Sequence, residues 1–264
     1  TPPDALNPAD MTIVDGEGKD LSAGGDSKSN PIDFRGENAT PGSTVIVYDG
    51  DKPLGSVIVG DDGRWHIPVT LPEDGQKHDL SVGVTDPAGN ESGRTPGVGI
   101  GYDATPPTAP NPADMTIVDS DGKDLSSGGG SKSNPIDFRG DNATPGDTVI
   151  VYDGDTPVGS VIVGEDGSWH IPVTLPEDGQ DHELSVGLQD PVGNESNRTT
   201  PVGIEYDTTP PVKPVISEVT DISGAITDPL VNGSLTDEKQ PVFSGKSNES
   251  GLLVELVDQK GNVV

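Results

Sequence analysis

Apolar and polar residues alternate along this chain in short runs, and the runs predict its architecture. In the first part of the sequence they fall at 11–14, 32–34, 44–48, 54–59, 65–70, 80–85 and 98–102. Gly, Asp, Asn or Pro separates one run from the next, and no stretch shows the three-to-four spacing of an amphipathic helix. Seven short strands at roughly regular spacing predict an all-β fold, an antiparallel sandwich of immunoglobulin type. Val45, Val47, Val57 and Val59, with Trp65, Ile67 and Val69, supply period-two faces that two stacked sheets can bury. The Ser-, Gly- and Asp-rich stretch 16–30 reads as a long loop between the first two strands.

The pattern then repeats. Thr1 aligns with Thr105, Met11 with Met115, Phe34 with Phe138, Trp65 with Trp169 and Asp103 with Asp207, a constant offset of 104 residues without a gap. A third copy starts at Thr209, diverges, and gains one residue before Phe243, which answers Phe138. The expected domains are 1–103, 104–207 and a partial, divergent third at 208–264. Each joint carries an Asp followed by a Thr-Pro-Pro step, at Asp103 to Pro107 and Asp207 to Pro211. Paired prolines fix φ, lack an amide donor and push the preceding residue toward extended backbone, so these joints are short and stiff. The expectation is tandem sandwiches joined by Pro-rich linkers into an elongated rod.

Composition changes the picture in two ways. Gly 36 and Pro 26 together approach a quarter of the chain, aromatic content is 3% and the net charge is −30, values that alone would suggest disorder. The clean alternation argues for folded but thinly cored modules that need an added stabiliser. With no Cys, that stabiliser is not a disulfide. A balance of 45 acids to 15 bases argues against nucleic acid and anionic membrane surfaces as partners, and invites divalent cations. No segment approaches the roughly 20 apolar residues of a membrane span and no signal-peptide pattern is seen, so the chain is expected to be soluble, monomeric and not membrane-inserted.

With the seven runs labelled A to G, loops BC, DE and FG crowd the pole at which the chain enters a module, and AB, CD and EF crowd the opposite pole. At the proximal pole of the second repeat lie Asp141 and Asn142, then Glu165 and Asp166, then Asp190 and Asn194, with Asp103 arriving from the linker. Calcium takes six to eight hard oxygens, and Asp103, Asp166, Asp190 and Asn194 could supply most of such a shell. The first repeat has Asp62, Asp86 and Asn90 but no preceding linker Asp, so a site there should be weaker. Asp207 would serve the third copy. At the distal pole, Asp119, Asp121 and Asp124 surround a Gly, and Asp153 and Asp155 come from loop CD. The first repeat has Asp15, Glu17 and Asp20 with Asp49 and Asp51. The alternative throughout is that Asp-Gly and Gly-Asn are ordinary turn formers.

Other chemistry is sparse. His66, His78, His170 and His182 form two repeat-related pairs, and His66, next to Trp65 on a strand, should face outward. Trp65 and Trp169 are expected core anchors. There is no GxSxG elbow and no Cys nucleophile, so no enzyme is expected.

Three motifs recur in order in both complete copies: Asp62-Gly63-Arg64-Trp65 and Asp166-Gly167-Ser168-Trp169, the D-x-x-G-N-x-S loops beginning at Asp86 and Asp190, and the D-x-T-P-P joint. Together they resemble the bacterial immunoglobulin-like (BIg) repeats of giant type I-secreted adhesins. That resemblance implies extracellular surface-attached or secreted rods, neighbouring repeats of the same chain as partners, calcium at the joints, and attachment to host cells or surfaces. The expected function is a calcium-stiffened stalk. Two alternatives stand beside it: a calcium-dependent module binding host-cell surface glycans, and an accessory region of a secreted hydrolase.

Overall fold

A computed structural model of the chain describes residues 1–221, 229–231, 240–247, 252–258 and 260–263. It divides into two compact units, Thr1–Asp207 and Thr208–Val264. No α-helix occurs among the described residues.

The first repeat opens with a 3-10 turn, Pro8–Asp10, capped by the Asn7 side chain. Eight strands follow: β1 (Met11–Val14), β2 (Gly25–Ser27), β3 (Ile32–Gly36), β4 (Thr44–Asp49), β5 (Lys52–Ile58), β6 (Trp65–Val69), β7 (Lys77–Thr85) and β8 (Val98–Tyr102). They form a three-stranded sheet, β1-β3-β6, and a five-stranded sheet, β2-β8-β7-β4-β5. Each predicted run is a strand, one expectation is corrected and one pairing is added. The stretch expected to be one long loop contains β2, which pairs in parallel with β8. The fourth run, β5, hairpins onto β4 as the edge of the larger sheet.

Alternation sets the core. In β6 the pattern is buried at Trp65, Ile67 and Val69 and exposed at His66 and Pro68. A proline fits there because β6 is a sheet edge, where an amide need not join a ladder. Phe34, Ile32, Val45, Val47, Leu80 and Ile100 are sealed between the sheets.

The second repeat reproduces this arrangement. Its strands are β9 (Met115–Asp119), β10 (Gly129–Ser131), β11 (Ile136–Gly140), β12 (Thr148–Asp153), β13 (Thr156–Ile162), β14 (Trp169–Val173), β15 (Asp181–Gln189) and β16 (Val202–Tyr206). They are ordered β14-β11-β9 and β10-β16-β15-β12-β13 around a second core. Each repeat thus encloses its own apolar cluster, and the chain is a tandem of immunoglobulin-like sandwiches.

In the second unit, β17 (Val215–Thr220) pairs with β18 (Val242–Lys246), placing Phe243 opposite Val219. This matches Phe138 opposite Ile117, but Phe243 is 44% exposed where Phe138 is 1% exposed.

Trp65 and Trp169 are buried, as core anchors should be. Each indole lies over the glycine paired with it across the sheet, Gly36 or Gly140. A Cβ at either glycine would come within 2.4 to 2.7 Å of three indole atoms, closer than real contacts allow. Replacing Gly140 by Ala should therefore displace Trp169 and cost about 1–3 kcal/mol, as overpacking does. A thermal melt reads this directly, and an unchanged Tm would mean that the ring does not rest on the glycine.

Candidate functional site at the joint between the repeats

The joint is built from the ends of strands. Strand β8 ends at Tyr102, and the amide of Asp103 donates to the carbonyl of Ser27 at the end of β2, 2.9 Å away. The Asp103 carboxylate turns back on its own chain, Oδ1 accepting from the Thr105 amide at 3.0 Å. Glu73, from the loop after β6, accepts from the Ala104 amide at 3.1 Å and from the Thr105 hydroxyl. The linker is thereby fastened to the first repeat along three successive residues.

The second repeat meets it with the loop after β15. Asp190 Oδ1 collects the amides of Val192, Gly193 and Asn194 at 3.0, 2.7 and 2.8 Å. Gly193 is at φ +96°, a left-handed position that favours glycine. Asn194, 8% exposed, directs Nδ2 at two oxygens, Asp190 Oδ2 at 2.8 Å and the backbone carbonyl of Asp103 at 2.9 Å. From the other side, Lys28 Nζ, just past β2, donates to the Gly193 carbonyl at 3.1 Å. Two hydrogen bonds, one from each repeat, therefore close the joint.

The structure brings Asp103, Asp190 and Asn194 together, through the Asp103 carbonyl rather than its carboxylate. Asp166 lies apart from these hydrogen bonds; its Oδ1 accepts from the amide and hydroxyl of Ser168, and the hydroxyl holds its carboxyl below the ordinary value. In the first repeat Asp62 accepts from the Arg64 amide, and Asp86 accepts from Ala88 and Asn90. The Asn90 side chain, first, holds the Asp86 carboxyl low. The Asp207 amide donates to Ser131, as Asp103 does to Ser27.

At the distal pole the expected acids do not form one cluster. Asp119 is buried, Oδ1 accepting from the amides of Asp121 and Lys123 and Oδ2 from the Ser131 hydroxyl at 2.6 Å. Asp121 accepts from Ser133, and Asp124 from the Ser126 amide. Asp153 instead faces His182, Oδ2 to Nδ1 at 2.6 Å, while Asp155 accepts from Arg198, whose guanidinium lies 3.5 Å from the Tyr152 ring centroid. His66 faces outward as expected, held by Asp33 at 2.9 Å. Among the described residues, no group of three or more His, Asp or Glu side chains is placed to hold a metal ion.

The sequence reading overlooked Lys28, Glu73 and Asp147. For Asp147 a signal was present: it stands where the first repeat has the neutral Ser43. Lys28 gave none, because only β2 brings it to the joint.

Residues 35–97 match the family described as Bacterial Ig domain. No curated protein matches the chain in sequence. Solved structures to which it is similar include the BSP domain of a biofilm associated protein, at 18% identity and TM-score 0.25, covering 70% of this chain and 29% of that one. A second is a 1.5-MDa bacterial ice-binding adhesin, at 19% identity and TM-score 0.30, covering 68% and 59%. A third is a tetra-tandem repeat from the extending region of a large adhesion protein, at 14% identity and TM-score 0.27, covering 90% and 62%. In each case this chain spans less than two thirds of the structure it resembles.

Asp119 carries a pH prediction. The Ser131 hydroxyl, and after it the amides of Lys123 and Asp121, hold its carboxyl below the ordinary 3.8 against the cost of burial. A depressed carboxyl stabilises the fold fully above its unfolded value, and that share is lost as pH falls through the folded one. Asp119→Ala leaves the Ser131 hydroxyl and two amides without their acceptor and should cost about 1–3 kcal/mol at pH 7. Melts taken from pH 7 down to pH 2 should show a lower Tm and a shallower acid decline; curves that superimpose on wild type would show that the carboxylate does not hold the loop.

Proposed function

We propose that this chain is a spacer segment of a bacterial surface or secreted adhesin, structural rather than catalytic, in which successive repeats are stiffened against one another at hydrogen-bonded joints. The observation that carries the reading is the pair of contacts across the joint, Asn194 to Asp103 and Lys28 to Gly193. A Pro-rich linker with no such contacts would leave two beads on a string. The match to a bacterial immunoglobulin-like family supports the same reading, as do four histidines each paired with an aspartate of the sandwich surface.

Calcium belongs to this proposal as the agent that adds stiffness. The donor chemistry fits a hard cation: the hydrogen bonds to Asp103 and Asp166 go to Oδ1, leaving Oδ2 of each to offer, and backbone carbonyls lie in the same loops. A bound cation would supply charge compensation there. What the chain's own residues do is orient the loops, Asp190 by gathering amides and Asn194 by tying them to the linker. A cation at a hundredfold excess over its Kd would add about 2.7 kcal/mol to the state that binds it.

Small-angle X-ray scattering tests both parts. The double variant Lys28→Ala/Asn194→Ala should keep the circular dichroism of folded sandwiches while its distance distribution broadens, because about 1–3 kcal/mol of joint contacts is gone. Wild type should broaden in EDTA and sharpen in millimolar calcium. A variant that scatters like wild type would defeat the stiff-joint reading, and indifference to EDTA would remove calcium from it.

A further inference from the structure

We propose that residues 20–27 of the first repeat, and 124–131 of the second, are a load-bearing clamp that laces the entry strand of each repeat to its exit strand, so that the repeat resists tension applied through its ends. The use of such a clamp in a tether rests on the spacer reading. The clamp itself rests on geometry within one repeat and on neither contact between the repeats.

Tension along the chain reaches the first repeat at the start of β1 and at the end of β8, which belong to different sheets. The two strands run in the same direction. After β1 the chain turns back beside it, Val14 bridging Asp20 in antiparallel fashion. It turns again at Gly24, whose amide donates to the Leu21 carbonyl, and β2 then returns to the level of Asp15, where the Ser27 hydroxyl donates to Asp15 Oδ2 at 2.6 Å. Strand β2 therefore runs with β1, and it is parallel to β8. Pulling draws β1 backward from its start and β8 forward from its end, each along its own axis. Hydrogen bonds lying across such strands are loaded together in shear, whereas a strand peeled from one end gives them up one at a time.

Residues 20–27 bond to both loaded strands. On the β1 side the Leu21 amide donates to the Ile13 carbonyl at 2.8 Å, and the Ile13 amide donates to Ser22 Oγ at 3.1 Å, along the edge of β1 that β3 leaves free. On the β8 side β2 pairs from Gly25 with Ile100 to Ser27 with Tyr102, and the Asp103 amide extends the ladder to the Ser27 carbonyl at 2.9 Å. Without β2 the exit strand would be a sheet edge held by β7 alone. The segment is also pinned against sliding: Leu21 is sealed in the core, and Lys19 Nζ donates to the Asp26 carbonyl at 2.6 Å. The second repeat has the same fastenings. There the Leu125 amide donates to Ile117 at 2.8 Å, the Ile117 amide to Ser126 Oγ at 3.2 Å, and Lys123 Nζ to the Gly130 carbonyl. Gly130 stands where the first repeat has Asp26, so the fastening at that position goes through the backbone and not the side chain.

Pulling the full chain by its ends at one constant force is the test. Wild type should give two large unfolding steps, releasing residues 11–102 and 115–206, each about 300 Å when extended. The double variant Ser22→Ala/Ser27→Ala removes the fasteners on Ile13 and Asp15 from the first repeat and leaves its backbone intact. One of the two steps should then come about tenfold sooner, while the other keeps its wild-type lifetime, because forced unfolding reads the unfolding rate. Ile67→Ala is the control. It opens a cavity under β6, which pairs with neither β1 nor β8, and should lower Tm at least as far as the serine variant does. Its lifetime under force should nevertheless fall less than about threefold; Ile67→Val replaces it if the alanine leaves the repeat unfolded. Unchanged lifetimes in the serine variant would overturn the clamp. So would a core truncation that shortens the lifetime as much as the serine variant at equal loss of Tm, since rupture would then follow overall stability. Scattering reads the joint and lifetimes under force read single repeats, so failure of one is distinguishable from failure of the other.

Discussion

A carboxylate at the end of a strand, gathering the amides of the loop that follows, is the interaction on which the rest of this structure depends. It occurs at Asp15, Asp86, Asp119, Asp190 and Asp258, each accepting from the amide four residues ahead, through Lys19, Asn90, Lys123, Asn194 and Asn262. In each case the chain closes back into a bridge six residues on, as Val14 with Asp20 and Gln189 with Glu195. Several amides aimed at one point make a concave site for an anion, and here the protein supplies the anion itself. A left-handed glycine, such as Gly18, Gly89 or Gly193, lets the loop turn tightly enough to aim them. Thin cores without disulfides are held at their rims by these closures, so much of the acidic composition is structural and already engaged.

The same closures transmit order to the joint. Asp15 fixes Ser27 through its hydroxyl, Ser27 holds the amide of Asp103, and Lys28 follows directly. On the other side Asp190 fixes the loop whose Gly193 carbonyl and Asn194 amide meet Lys28 and Asp103. Strand β2 is the middle link. Because it pairs in parallel with β8, the long segment after β1 ends beside the linker rather than trailing in solvent. Residues far apart in the chain thus come to one place through backbone pairing.

These relations explain what the sequence disclosed and what it withheld. The strands were legible because period-two alternation survives even at 3% aromatic content, and Trp65 with His66 showed their opposite faces directly. Strand β2 was not legible: Gly25, Asp26 and Ser27 carry no apolar signal, and their strand character is imposed by β8. The sheet membership of β5 was hidden because alternation reports a buried face and says nothing about the neighbour. Of the candidate acids, the sequence located the loops correctly, but the direction of each carboxylate depends on which donor reaches it first. For Asp103 and Asp166 that donor is an amide or hydroxyl two residues ahead; for Asp153 it is a histidine from another strand. Residue type and spacing leave that competition open.

Electrostatics at the joint follows from the same competition. A carboxylate that already accepts from several amides has its charge spread over their dipoles, whereas a carbonyl left over from a tight turn keeps an acceptor free. Gly193 offers such a carbonyl, and the ammonium of Lys28 answers it. A half-buried lysine is screened less by salt than an exposed one, since the Debye length of about 8 Å at physiological ionic strength applies to charges in water. The Lys28 contact therefore depends less on salt than any interaction of a solvent-facing acid such as Asp103. The joint so sets a half-buried protein cation, Lys28, beside a solvent-facing carboxylate, Asp103, and salt in the medium screens the second more than the first.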